Sequence, residues 1–414
     1  MIARLFVHYL GRLAGVLTHE PDGTFAFSYD GGWLGGTEAF PLSQQLPLTA
    51  GVFRAQAQAF FANLLPEGDT RLLLCRRLGI SPGNDFELLA AIGGECAGAF
   101  TLSGEEELPP EGKGDYRALP RARLEEYAVT RVLPALDGRG GLRLSLAGAQ
   151  DKLPVRIDGD KILLPLGSAA STHILKFPNP SYKQLPGNEV LVTLIARTLG
   201  LRVVEAQWWP LRREGMCVVE RYDRVRSQRG EIFRLHQEDL CQALGLPSSR
   251  KYEKENGPGL AQCFEGVRRV SSSPAQDALE LLRWTAFNAL ALNADAHAKN
   301  LSLIYSGGAA RLAPFYDLVC TRAWDGLAGE LAMAVGGEVD PTQLRRKHWQ
   351  ALAAELGIGA KLLVDTVREL AERFPDAVSA GAAEFRARYG EKPALEQVLP
   401  KIRRQARRIM KQLA

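Results

Sequence analysis

The stretch NADAHAKN, residues 293–300, puts an aspartate, a histidine two residues later and an asparagine three beyond that on one short polar segment. Upstream, LELLRWTAFNALALN carries Leu281, Leu282, Trp284, Phe287, Leu290 and Leu292 at helical spacing, and downstream LSLIY alternates as a strand does. The pattern predicts a loop between a buried helix and a strand. Asp295 and Asn300 share that loop, and Asp317 follows in LAPFYDLV after a hairpin turn expected at SGG. Phosphoryl transfer from ATP asks for these types in this order: a carboxylate for the acceptor hydroxyl, then an asparagine and a later aspartate for Mg2+. Oxygen ligands suit that hard cation, whose remaining partners are waters and phosphate oxygens. The D-x-x-x-x-N spacing alone also fits capping and turn duties, so its weight comes from what lies upstream.

Upstream, SLAGAQDK (145–152) is a small-residue loop between two strand patterns, where Ala147, Gly148 and Ala149 let backbone N–H groups approach phosphates. Lys176, in the strand pattern THILKF, is placed to reach phosphates as the strand lysine of a kinase does. Glu189, in the helix that follows, is placed to pair with it. The order along the chain is therefore phosphate loop, lysine, glutamate, carboxylate, asparagine, metal aspartate. No GxxxxGK[ST] loop is present, which points away from motor- or GTPase-type chemistry.

The whole chain sets the bounds. Its 414 residues, 46% hydrophobic and 24% charged, are enough for two or three domains with real cores and exclude disordered and fibrous classes. A formal charge of +4, from 51 basic against 47 acidic residues, does not by itself argue for nucleic acid. Six cysteines without a CxxC pair predict reduced, buried thiols and a cytoplasmic home. The N-terminus reads as neither a secretory signal nor a membrane span, and no apolar run reaches about 18 residues. Strand patterns with turns at PDG and GG occupy residues 2–35, followed by helices over FRAQAQAFFANLLP and GDTRLLLCRRLG. The expected organisation is an N-terminal subdomain (1–104), a Pro-, Gly- and charge-rich linker (105–124), a strand-rich lobe (125–228) and a helical lobe (229–414). After about residue 230, helices should dominate, broken only by a strand pair around 300–315.

The motifs S-x-A-G-A-Q-x-K, T-H-I-x-K, E-R-Y-D-R (Glu220 to Arg224), L-x-Q-E-D-x-C-Q-x-x-G-L-P-x-x-x-K-Y-E (Leu235 to Glu253), G-P-G, D-x-H-x-K-N and P-F-Y-D resemble the HipA family of serine/threonine-kinase toxins. NLLPEGDTRLLL and AIGGECAGAFTL extend the resemblance into the N-terminal unit, so it spans nearly the whole chain. It implies an α+β, bilobal kinase-like fold, with an N-terminal α/β lobe, an extra N-terminal subdomain and a mainly helical C-terminal lobe. It implies ATP and Mg2+ as cofactors and a protein serine as acceptor, in characterised members on glutamyl-tRNA synthetase, with slowed translation and persistence. It also implies a HipB-like helix-turn-helix antitoxin and, through it, operator DNA. By residue, Asp295 is then the catalytic aspartate, with Asn300 and Asp317 on the metal. Ala147, Gly148, Ala149, Gln150, Asp151, Lys152 and Lys176 bind phosphates, with Glu189 steadying the lysine. Glu220, Arg221 and Tyr222 form the adenine-facing hinge, and His297, Lys299 and Tyr316 belong to the nucleotide site. Ser145 matches the autophosphorylation site. Asp151 stands where glutamate is frequent and Tyr222 where phenylalanine is, and neither change removes a group the chemistry needs.

A phosphate on Ser145 adds about −1.5 to −2 charges at the mouth of the phosphate loop, which would repel ATP and switch the enzyme off. His297 reads as a packing or hydrogen-bonding residue rather than a zinc ligand, since no second His or Cys lies at ligand spacing. The closing segment PKIRRQARRIMKQLA pairs a narrow apolar stripe with a basic face, a solvated surface or a contact to DNA or an acidic partner. Two other functions compete: a small-molecule phosphotransferase of aminoglycoside-kinase type, which also uses D-x-H-x-x-N, and a non-catalytic repressor subunit.

Overall fold

The computed structural model describes residues 3–107, 115–130, 151–167, 169–212, 214–327 and 329–413. The chain divides into two compact units: Met1–Phe177 with Val219–Ser248 and Ile304–Ala309, and Pro178–Val218 with Ser249–Leu303 and Ala310–Ala414.

The first unit opens with an antiparallel sheet, built from β1 (Arg4–Tyr9), β2 (Arg12–His19), β3 (Phe25–Tyr29) and β4 (Phe100–Ser103) in the order β3-β2-β1-β4. Alternation buries Leu5 and Val7 of β1 opposite Leu17 and Gly15 of β2. Gly15 is required by close approach, because a Cβ there would lie 2.5 Å from the Ser28 carbonyl oxygen and 2.6 Å from the Phe27 ring. Helices α1 (Gly31–Leu34), α2 (Ala55–Ala62), α3 (Gly68–Leu78) and α4 (Asp85–Ile92) complete this layer. Asp30 caps α1, accepting from the N–H groups of Gly32 and Trp33 at 2.8 and 3.2 Å. Phe25, Phe27, Trp33, Phe60, Phe61 and Phe86 fill the core between sheet and helices.

A second set of strands, β5 (Tyr116–Ala118), β6 (Lys152–Asp158), β7 (Lys161–Pro165) and β8 (His173–Lys176), runs in the order β5-β7-β6-β8, every pair antiparallel. The β6–β8 register sets Lys152 opposite Lys176. The stretch read as linker therefore contains β5 and the start of α5 (Arg121–Thr130). Three residues are too few to show a period, and β5 exists because β7 supplies its hydrogen bonds.

Helix α6 (Leu185–Thr198) has Pro186 in its first turn and buries every residue from Pro186 to Ala196. The neighbouring strands β9 (Ala206–Trp209) and β10 (Met216–Glu220) follow. β11 (Arg224–Arg226) still belongs to the expected strand-rich stretch, but beyond about residue 230 the sequence expectation of helices fails, because β12 (Ile232–Arg234) and β13 (His236–Asp239) intervene before the short α7 (Leu240–Ala243). β11 and β12 are three-residue antiparallel partners carrying arginines, so hydrophobic alternation could not reveal them.

Buried ion pairs hold them. Glu95 receives Arg221 at 2.9 Å, Arg224 at 2.9 Å and Arg234 at 2.5 Å, and Asp223 receives Arg221 at 2.7 Å and Arg224 at 2.9 Å. Burial pushes both carboxyls up, but the arginines outweigh it: Glu95 is held far below the usual carboxylate range and Asp223 at about 2. A second buried acid behaves oppositely. Burial drives Glu238 up to about 7, against hydrogen bonds from Ser43, at 2.6 Å, and from the Tyr305 hydroxyl.

The second unit adds α8 (Leu260–Val270), α9 (Pro274–Ala291), α10 (Arg346–Glu355), α11 (Ala360–Tyr389) and α12 (Pro393–Leu413). β14 (Ser302–Ser306) and β15 (Ala309–Leu312) form a hairpin through Gly307 and Gly308, whose φ values of 57° and 77° suit glycine. Helices α6 and α11 pack closely enough that a Cβ on Gly381 would meet Ile195 Cγ1 at 2.8 Å. In α12, Ile402, Ala406, Ile409 and Leu413 face inward, while Arg403, Arg404, Arg407, Arg408 and Lys411 are exposed. All six cysteines are buried. Among the described residues no helix is long and apolar enough to cross a membrane.

Candidate active site

The segment 293–300 is the expected loop, with one 3-10 turn at Ala298–Asn300, leading from α9 into β14. α9 stops at Leu292, in the left-handed region at φ 57°, and the loop then folds on its own polar groups. Asp295 N–H donates to Asn293 Oδ1 at 3.1 Å, and Asn293 Nδ2 donates to Asn288 Oδ1 at 2.9 Å. Asn300 Nδ2 donates to the Asp295 carbonyl oxygen at 2.7 Å, linking the two ends of the D-x-x-x-x-N spacing through a main-chain oxygen. The Asp295 side chain is 53% exposed, whereas His297, Lys299 and Asn300 are buried.

Burial first, then Lys251 and Lys299, push the His297 imidazole down to about 3 despite the opposing effect of Asp317. The ring is therefore neutral near pH 7 and packs edge-on against Tyr252, centroids 5.0 Å apart. Tyr252 donates its hydroxyl to Asp295 Oδ1 at 2.6 Å. Tyr316 donates to the Lys299 carbonyl oxygen at 2.7 Å and pairs with Ser302 Oγ at 2.7 Å, so its hydroxyl braces the loop.

Asp317 lies one residue beyond Tyr316 at φ 55°, a conformation that costs a non-glycine residue energy and is retained where surrounding structure fixes it. Phe315 and Cys320 provide that fixing. Phe315 bridges to the Arg202–Val204 backbone through bonds of 2.8 and 3.0 Å. Asn188 of α6 accepts from Cys320 N–H at 2.8 Å and donates to its carbonyl oxygen at 3.0 Å. Thr321 Oγ1 donates to the Leu292 carbonyl oxygen and accepts from Ala294 N–H, both at 2.9 Å, tying the segment after Asp317 to the loop of Asp295.

A divalent cation fits this donor set. With its nitrogen turned to Asp295, Asn300 presents its amide oxygen as the ligating end, and Asp317 adds a carboxylate. Among the described residues no group of three or more His, Cys, Asp or Glu side chains forms a metal-holding cluster. A cation on Asn300 and Asp317 would therefore complete its shell with phosphate oxygens and water.

The nucleotide-side residues belong partly to the other unit. Lys176 is buried in β8, and Lys152 is half-buried opposite it. Asp151 accepts the Tyr127 hydroxyl and, through its carbonyl oxygen, Phe177 N–H at 3.1 Å. Ser145, Ala147, Gly148, Ala149 and Gln150 lie outside the described residues. Glu189 is buried on α6 in the second unit. Glu220 is exposed, and the Tyr222 hydroxyl donates to the Gln237 side chain. The Arg221 guanidinium is enclosed by Glu95, Asp223, Ser171 and the Cys96 carbonyl, and its N–H goes to the Thr172 carbonyl at 2.9 Å.

Sequence reasoning passed over Asn188, Tyr252 and Thr321. Tyr252 stands inside the family-like motif ending K-Y-E and Asn188 directly precedes Glu189, but only the fold shows what they touch.

The family model of the HipA-like C-terminal domain matches residues 144–378, and that of the HipA N-terminal domain matches residues 5–103. Y4mE of Sinorhizobium fredii, provisionally named a kinase, is 41% identical over 383 residues, 91% of this chain and 91% of that one. The serine/threonine-protein kinase toxin HipA of Shewanella oneidensis is 34% identical over 374 residues, covering 86% of this chain and 84% of its own length. A solved chain from the Shewanella oneidensis HipA, HipB and operator DNA complex shares the fold with a TM-score of 0.83 at 28% identity, over 99% of this chain and 96% of that chain. The expected α+β kinase-like fold is thus observed, and relatives named as kinases support a kinase-type phosphotransferase that uses ATP. With both domain models matched and close relatives along most of its length, this chain belongs to the HipA family.

Proposed function

We propose that the chain is an ATP- and Mg2+-dependent protein serine/threonine kinase, the toxin of a HipBA-type toxin-antitoxin system. One observation carries the reading: Asp295, Asn300 and Asp317 stand on segments tied together by Thr321 and Tyr316, with the Asn300 amide oriented by Asp295. Asp295 accepts the hydrogen bond of the acceptor serine hydroxyl and takes its proton as the serine oxygen bonds to the γ-phosphorus of ATP, while the bond from that phosphorus to the β–γ bridging oxygen breaks and ADP leaves with the electron pair. Asn300 and Asp317 hold Mg2+, which when bound neutralises charge on the phosphate oxygens. Lys176, Lys152 and the loop Ala147 to Asp151 bind the phosphates, Glu189 steadies Lys176, and Glu220 to Tyr222 line the adenine through main-chain groups. His297, Lys299 and Tyr316 shape the nucleotide side of the loop.

The division proposed from sequence goes with this mechanism: residues 1–104 as an N-terminal subdomain, 125–228 as the nucleotide lobe and 229–414 as the acceptor lobe. The favoured acceptor is a translation component, glutamyl-tRNA synthetase first. The proposed partner is a HipB-like helix-turn-helix antitoxin, which brings operator DNA into the complex for co-repression; the solved Shewanella oneidensis relative is likewise a complex of HipA, HipB and operator DNA. Phosphorylation of Ser145 is the proposed off-switch. The motif D-A-H-A-K-N also fits a small-molecule phosphotransferase, but the matched HipA N-terminal domain favours the toxin reading.

The test is transfer of labelled γ-phosphate from ATP to purified glutamyl-tRNA synthetase. Label on a synthetase serine with the parent chain, and its loss by about a hundred- to ten-thousand-fold with Asp295→Gln, is expected. Equal labelling by both forms would remove Asp295 from the mechanism, and labelling of an aminoglycoside instead would favour the small-molecule reading.

A further inference from the structure

The segment from Arg250 to Gly259 takes no part in the mechanism proposed above, yet it is built tightly. The carbonyl oxygen of Tyr252 accepts from Glu255 N–H and Gly257 N–H, both at 3.0 Å. A Cβ on Gly257 would lie 2.2 Å from the Arg250 carbonyl oxygen and 2.5 Å from that of Tyr252, so only glycine fits. Glu253 fastens the turn to the segment 332–334: its N–H donates to the Ala332 carbonyl at 3.1 Å, and its carboxylate accepts from Ala334 N–H at 2.6 Å. On the other side, Ala298 N–H reaches the Lys251 carbonyl oxygen at 3.4 Å, joining the turn to the loop of Asp295.

The turn delivers one side chain to the reacting group. The Tyr252 hydroxyl lies 2.6 Å from Asp295 Oδ1, its ring stands edge-on to His297 at 84°, and the Lys251 ammonium is 5.4 Å from the ring centroid. His297 does not share the task, because its Nε2 is 3.9 Å from the same oxygen, beyond hydrogen-bond range. A half-exposed aspartate on a loop has staggered alternatives for its side chain. A rigid phenol with its ring packed on two sides is a donor that selects among them at small entropic cost.

We infer that Tyr252 is a positioning residue for phosphoryl transfer, donating its hydroxyl to Asp295 so that the carboxylate is locked in the orientation that receives the acceptor hydroxyl. The inference rests on the kinase reading of Asp295. Tyr252 touches neither phosphate nor acceptor in this role; it acts through Asp295, and its loss lowers the rate of transfer without loosening ATP.

Tyr252→Phe keeps the ring against His297 and removes only the donor. The full-length variant and the parent are mixed with saturating Mg2+ and ATP, and phosphate incorporated per chain is followed by intact mass. ATP affinity and melting temperature are measured alongside. The expected result is a rate lowered by about ten- to a hundred-fold, as small misplacements of a reacting group produce, with ATP affinity within about twofold and little change in melting temperature. An unchanged rate overturns the inference. So does a loss of rate that travels with equal losses of ATP affinity and melting temperature, which marks a merely structural residue. Crystal structures of both proteins separate this from a failure of the kinase reading. If the parent transfers no phosphate, an Asp295 carboxylate displaced in Tyr252→Phe still upholds the positioning role, and one left in place refutes it.

Discussion

Asn188 holds Cys320 by both main-chain polar groups, N–H at 2.8 Å and carbonyl at 3.0 Å, with all three groups buried. Cys320 is three residues past Asp317, so this clamp sets where the aspartate's segment runs. Asn188→Ala leaves a buried donor and a buried acceptor unmatched, at a cost of roughly 2–4 kcal/mol. The expected outcome is a lower urea midpoint together with weaker Mg2+-dependent binding of ATP, measured by calorimetry. Unchanged binding in a destabilised variant would separate the clamp from the metal side of the site.

Glu95 faces three buried arginines, and Asp223 is the other carboxylate among them. Glu95→Gln leaves guanidinium charge uncompensated in a site nearly closed to water, which should destabilise by about 3–5 kcal/mol. Denaturant unfolding of the variant checks this. A change under about 1 kcal/mol would mean that water or movement of Arg224 relieves the charge.

Acid should weaken the fold in two stages. Burial, joined by Arg226 for His173, depresses His173 and His236 to about 4, as His297 is depressed to about 3. The unfolded chain therefore binds more protons than the folded one below the ordinary histidine range, and stability falls as pH drops from about 6.5 toward 4. Glu95 and Asp223, also depressed, contribute stability that is lost lower still, as pH falls from about 4.5 toward 2. Urea midpoints measured from pH 7 to pH 4 should decline steadily; a flat profile would contradict neutral buried imidazoles.

Glu238 works in the other direction. Raised to about 7, it contributes stability below the ordinary carboxylate range and loses it as pH rises from about 4.5 through 7. Glu238→Gln keeps the shape without the charge, so its advantage over the parent should grow between pH 5 and pH 8, by on the order of 2 kcal/mol. Parallel stability profiles for the two proteins would count against a buried, titrating Glu238.

Much of the site was legible because its residues lie on periodic elements or at fixed spacings. The apolar face of α9 announced a helix ending before Asn293, and alternation in LSLIY announced β14, which left 293–300 as loop. Lys176 could be placed on a strand for the same reason. Elements set by tertiary pairing were not legible. β5, β11 and β12 are three-residue strands, the last two stabilised through arginines and Glu95, a residue more than a hundred positions away in sequence. The guanidinium of Arg221 stood in a motif read as nucleotide-facing, yet it belongs to that ionic cluster. Tyr252 reaches Asp295 across 43 residues, and no local pattern reports such a contact.

Phosphotransfer by this chain is proposed to depend on Asp295, with Asn300 and Asp317. The most direct measurement is intact mass of the purified, initially unphosphorylated chain and of Asp295→Gln after incubation with Mg2+ and ATP, with the modified residue mapped. One added phosphate on Ser145 of the parent and none on the variant is the expected result. No phosphate on a parent shown to bind ATP, or equal phosphate on both proteins, would contradict it.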